Sequence, residues 1–181
     1  MASRGYAQRV VGQAHPERDR LRYFLDQQRK AVLAIIEGLD DSQLRTPVLP
    51  SGWTPIGLVL HLAGAEAQWF QRVALGTQPE VTWDDGILDP PYDPSAPFTT
   101  DHSSGAVIDH YLRQCRISDE VLASHDLDAP LLGEVRFDWP GEPISDLRWV
   151  ALHMIEETAR HAGHLDAARE LLDGTTGHGP R

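Results

Sequence analysis

Nine histidines stand in this chain of 181 residues, and a few of them sit where a helical repeat would turn them inward beside a carboxylate. His61 lies among Leu58, Leu62, Ala65 and Trp69 at spacings of three and four, inside an apolar helical stripe. Further on, Leu147, Val150, Met154, Leu165, Ala168 and Leu172 form a second stripe that contains His161, with Glu157 one turn earlier at its edge. Positions four apart differ by only about 40° around a helix axis, so this segment aims a carboxylate and an imidazole inward together. Two imidazole nitrogens and one carboxylate oxygen suit a divalent first-row ion held by three ligands with open positions, zinc first, with iron and nickel as alternatives. The plainer reading of the same residues is a pair of core histidines satisfied by backbone carbonyls, and a surface Glu–His pair. His153 is an alternative ligand to Glu157. Lying further round the helix with His164, toward Arg160 and Glu156, it is also a candidate to orient a ligand or relay a proton. His15, His102, His125 and His178 fall in expected tails, caps or loops and read as surface residues, as does His110 in a helix.

Helices must position these groups. Leu21, Phe24, Leu25, Val32, Ile35, Ile36 and Leu39 predict a first helix from Glu17 to about Leu39, ended by Gly38 and Asp40–Asp41, with a short turn over Ser42 to Arg45. In Ser51-Gly52-Trp53-Thr54-Pro55 a capping threonine precedes a proline at the first helical position, which predicts a second helix to about Leu75. A third is expected over Ser103 to Ser124, with Val107, Ile108, Leu112, Cys115, Val121 and Leu122 as its apolar residues. The fourth, capped by Ser145, should run to about Asp173 and stop at Gly174. Between helices two and three lies a long stretch rich in proline and aspartate, and connections of that length are commonly lids or crossovers. Trp83 and Tyr92 there, and Trp139 in the loop over 126–143, either line the mouth of the site or pack over the end of the helices. No alternating run is long enough for a sheet core. The expected architecture is an all-α four-helix bundle over 16–175, with tails at 1–15 and 176–181.

Composition narrows the partners. With 16 basic and 27 acidic residues the formal charge is −11, so a phosphate backbone would be repelled and nucleic acid is not an expected partner. Cys115 is the only cysteine, which excludes a disulfide framework and a cysteine-bound structural zinc. No apolar run reaches the ~18 residues of a membrane span, and the first twenty residues lack the apolar core of a signal peptide, so the expected compartment is the cytoplasm.

Ser51-Gly52-Trp53-Thr54, then Leu60-His61-Leu62, and later the run Leu152 to His164 (LHMIEETARHAGH) resemble the DinB-like superfamily, in particular the mini-circle protein branch of actinobacteria. The resemblance extends from about Glu17 to Gly174. It implies a four-helix bundle with an unusual crossover connection, and a divalent metal held at the positions of His61, Glu157 and His161. Many members have histidine where Glu157 stands; those similar to mycothiol-dependent maleylpyruvate isomerase have glutamate, as here. His164 departs from the glutamine common at its position in other branches. Characterised relatives are metal-dependent transferases or isomerases that use low-molecular-weight thiols such as mycothiol, and they are often dimers. The resemblance therefore implies a small-molecule substrate, mycothiol as a cosubstrate and a homodimer. A hydrolase acting through metal-bound water and a non-catalytic metal-binding stress-response bundle use the same ligands. If the ligand assignment is right, His161→Ala purifies with far less metal than the wild type, whereas His178→Ala matches it; equal metal content in the two variants, measured by elemental analysis, would refute the assignment.

Overall fold

A computed structural model describes residues 17–79, 96–135 and 143–176. The expected tails lie outside them apart from Thr176, as do Phe137 and the three aromatic candidates Trp83, Tyr92 and Trp139. The chain is all-α: α1 (Glu17–Ile36), α2 (Asp41–Leu44), α3 (Pro55–Glu66) with a π-helical continuation (Ala67–Ala74), α4 (Ser104–Ser124) and α5 (Leu147–Asp173). Among the described residues there is no strand, only an isolated bridge between Pro130 and Asp146. Nor is any described helix long and apolar enough to cross a membrane.

Helix ends follow local chemistry. The Thr54 hydroxyl accepts from the Gly57 N–H, with Pro55 in the first turn, and Ser103 does the same for Ala106. Asp40 and Gln43 form a reciprocal capping box on α2. α5 is capped by Asp146, not Ser145: the Asp146 carboxylate accepts from the Trp149 N–H at 2.9 Å, and the Ser145 hydroxyl donates to that carboxylate. A carboxylate is the stronger acceptor and complements the helix dipole, so it takes the capping position. Gly174, in the left-handed region at φ 76°, closes α5. α1 stops three residues short of the expected Leu39.

Four long helical segments pack around a shared interior. Glu17 meets Arg148 where α1 and α5 begin, and Arg169 donates to the Ile35 and Glu37 carbonyls where α1 ends, so these two helices run parallel. α3 and α4 are also parallel neighbours. The first half of α3 shares a core cluster with Val107, Tyr111 and Cys115, while Trp69, Phe70 and Val73 of its continuation share a second with Val121 and Leu122. Parallel neighbours cannot be joined by a tight turn. The connection must return along the whole of α3 and its continuation, roughly 30 Å for twenty helical residues, which explains the length of the segment between them.

Three details depart from the apolar pattern. Phe24 is exposed, edge-on to the equally exposed Tyr23. On α4 the buried face is broader and more polar than its aliphatic residues suggest, taking in His110, Tyr111, Gln114 and Ser118 while Leu112 turns outward. His110 is therefore buried and not a surface residue; it lies three residues from Val107 and four from Gln114, on the same stripe, and burial pushes its pKa down. The second helix changes from α to π hydrogen bonding at Ala67, and in that register Ala67 through Gln71 are all buried.

Between the two apolar clusters lies a charged lock. Arg29 of α1 donates from Nε and Nη2 to the two carboxylate oxygens of Glu66 at 2.7 Å each, and from Nη1 to Asp119 of α4 at 2.8 Å. Both members of the Arg29–Glu66 pair are buried. Removing one partner of such a pair strands a charge, which costs about 3–5 kcal/mol, whereas replacing both with apolar groups of similar volume is often neutral. Glu66→Ala should therefore lower the urea midpoint by an amount equivalent to that cost, and Arg29→Met combined with Glu66→Leu should recover most of it. A Glu66→Ala midpoint equal to that of the wild type would refute the lock.

Candidate metal centre

His61 projects from the second turn of α3, and Glu157 and His161 project one turn apart from α5. Their rings and carboxylate converge: Nε2 of His61 and Nε2 of His161 stand 3.1 and 3.0 Å from the same oxygen, Oε1 of Glu157. The two imidazoles meet edge to face at 4.8 Å between centroids. Among the described residues this is the one group of three His, Cys, Asp or Glu whose ligand atoms gather in this way, all within 4.8 Å of one another. Ligands about 2.0–2.1 Å from a tetrahedral zinc are separated from each other by about 3.3 Å, so the Nε2–Oε1 separations already approximate the edges of a coordination polyhedron. Zinc sites closed by four protein ligands are structural, whereas those with three protein ligands and an open position are catalytic.

The protonation states match. Burial pushes the His61 pKa below its ordinary value, and the neighbouring carboxylate only partly opposes this. Burial acts to raise the Glu157 pKa, but hydrogen bonds from His161 and His61 outweigh it and hold the carboxyl well below the usual range. An ionised carboxylate only accepts, so both rings donate their Nε2–H to it in the ion-free form. A neutral imidazole and an ionised carboxylate are the forms a divalent cation takes.

The surroundings hold His61 in place. Phe98, from the end of the returning segment, stacks on its ring at 3.9 Å between centroids and 21° between planes. Phe98 is placed by backbone contact: its carbonyl accepts from the Thr54 N–H at 3.0 Å and passes so close to α3 that a Cβ on Gly57 would lie 2.0 Å from that oxygen. Only glycine permits this approach. Residue spacing could not have singled out Phe98, because it acts through a backbone pairing between segments 44 residues apart.

The other candidates divide. His153 is not part of the convergent group. It is buried between Trp69, at 4.4 Å, and Trp149, stacked at 5.1 Å, on the same face of α5 one turn before Glu157. Burial lowers its pKa. His164 is exposed, and its Nδ1 lies 3.4 Å from Nδ1 of His161.

Residues 20–174 match the model of the mycothiol-S-transferase family, and the chain belongs to that family, a DinB-like one. No curated protein matches the sequence significantly. The resemblance drawn from the tryptophan-containing turn and the His161 segment thus agrees with the family over nearly the whole chain.

With His153 held apart from the convergent atoms, His153→Ala should retain about one zinc per chain after reconstitution, while His61→Ala and Glu157→Ala should not. Elemental analysis of variants whose helicity has been verified tests this, and loss of zinc from the His153 variant alone would overturn the ligand set.

Proposed function

We propose that this chain is a divalent-metal-dependent transferase or isomerase that uses a low-molecular-weight thiol of the mycothiol type against a small electrophile. The observation that carries the reading is the convergence of His61, Glu157 and His161 in a chain of the mycothiol-S-transferase family. The donor set fits zinc best, with iron or nickel compatible. When bound, such an ion supplies an open position for the thiol sulfur and keeps it as thiolate near neutral pH, ready to attack an electrophilic carbon. The chain's own residues do the rest. His61 and His161 would present imidazole nitrogens to the ion from two helices. Glu157 brings an anionic oxygen that offsets part of the cation's charge. Phe98 stacks on the ring of the buried His61. His153, clasped by two indoles, is a candidate to orient the electrophile.

A cleft beside the segment that follows Phe98 is the place we assign to the body of such a thiol. Thr99, Thr100, Asp101 and His102, with Arg45 and Thr54, line this cleft of about 610 Å³. Hydroxyls, a carboxylate and an imidazole are the groups that pair with the many hydroxyls of a sugar-bearing thiol.

The test compares metal-free and zinc-loaded protein with mycothiol and a panel of epoxides, enones and alkyl halides, following loss of free thiol. We expect turnover that needs the ion, saturates with thiol and stops on chelation. Turnover of esters or amides without thiol would replace the reading with a hydrolase, and zinc binding with no turnover of either kind would replace it with a non-catalytic metal-binding bundle.

A further inference from the structure

We infer that His164 is a positioning residue for the metal site, and that the turn Gly52-Trp53-Thr54 braces both imidazole ligands, one through His164 and the other through Phe98. The inference rests on the metal reading above. An imidazole that ligates through Nε2 carries its proton on Nδ1, and such rings almost always donate that proton to a fixed acceptor, which sets the tautomer and the ring plane. Nδ1 of His161 has one within reach: Nδ1 of His164, 3.4 Å away, one turn along α5. With an ion on Nε2 of His161 in place of that proton, Nδ1 of His161 would donate to His164, which would keep its own proton on Nε2. The His164 ring in turn faces the Trp53 indole, at 6.3 Å between centroids and 43° between planes, and Trp53 packs against the core cluster around α3. Nδ1 of His61 has no hydrogen-bond partner among the described residues. That ring is held by stacking, through Phe98, whose carbonyl is tied to the N–H of Thr54, the residue after Trp53. One turn therefore reaches both ligand rings, one by a hydrogen bond and one by a face-to-face contact. This gives the tryptophan-containing motif a task that helix capping alone does not explain.

The probe is zinc itself. Its dissociation constant is measured by competition with a chromophoric chelator for wild type, His164→Ala, His164→Gln and His161→Ala, alongside the melting temperature of each metal-free protein. Loss of a partner behind a metal ligand weakens binding by about 10–100-fold. We expect that loss in His164→Ala, and partial recovery in His164→Gln, whose side-chain oxygen can accept the same proton. Melting temperatures of the two metal-free His164 variants should match that of the metal-free wild type, because His164 is exposed. A His164→Ala constant within about twofold of wild type, while His161→Ala loses zinc, would overturn the positioning role and leave the metal reading standing. Failure of wild type to bind zinc would overturn both.

Discussion

A carboxylate drawn out of water must find donors, and this requirement organises the molecule. The Glu157 side chain is only 22% exposed, and one of its oxygens is shared by two imidazoles, one of them 96 residues away in sequence. α3 and α5 must therefore lie side by side in a fixed register. Desolvation strengthens each of these contacts and makes the loss of any one costly, so the same dryness that disfavours an isolated charge makes a matched set of three groups rigid.

The charged lock of Arg29, Glu66 and Asp119 applies the same rule elsewhere in the bundle with a different result. There a guanidinium neutralises the buried carboxylate with a bidentate fork. At Glu157 the partners are imidazoles, which can surrender a proton from Nε2 and offer a lone pair instead. The two carboxylates therefore differ in their partners: Glu66 is held by a guanidinium, whereas Glu157 is shared by two imidazoles of the kind that ligate metals.

Much of the candidate site is legible in the residues because its members lie on helical stripes. Glu157 and His161 sit four apart beside Met154 and Leu165, so periodicity turns them inward, while His61 sits in a run of aliphatic residues on a helix buried along its whole length. The helix ends at Thr54, Ser103 and Gly174 are equally plain, since capping is local chemistry. What escaped the periodic reading acts through tertiary contact. Phe98 reaches His61 only because Gly57 lets a distant backbone approach; no aliphatic pattern marks His110 as buried; and the π register after Glu66 has no signature in residue type. Asp146 displaced its neighbour Ser145 as the cap of α5, since two capping residues in succession leave the choice to the geometry of the arriving chain.

The crossover between the parallel helices is pinned at both ends by backbone hydrogen bonds, Thr77 to Gln71 at its start and Thr54 to Phe98 near its finish. Chain inserted between two fixed anchors adds only closure entropy, about 0.6 kcal/mol for each doubling of length. The interval between the anchors can thus diverge in length and content among descendants of one ancestor while the triad stays in register.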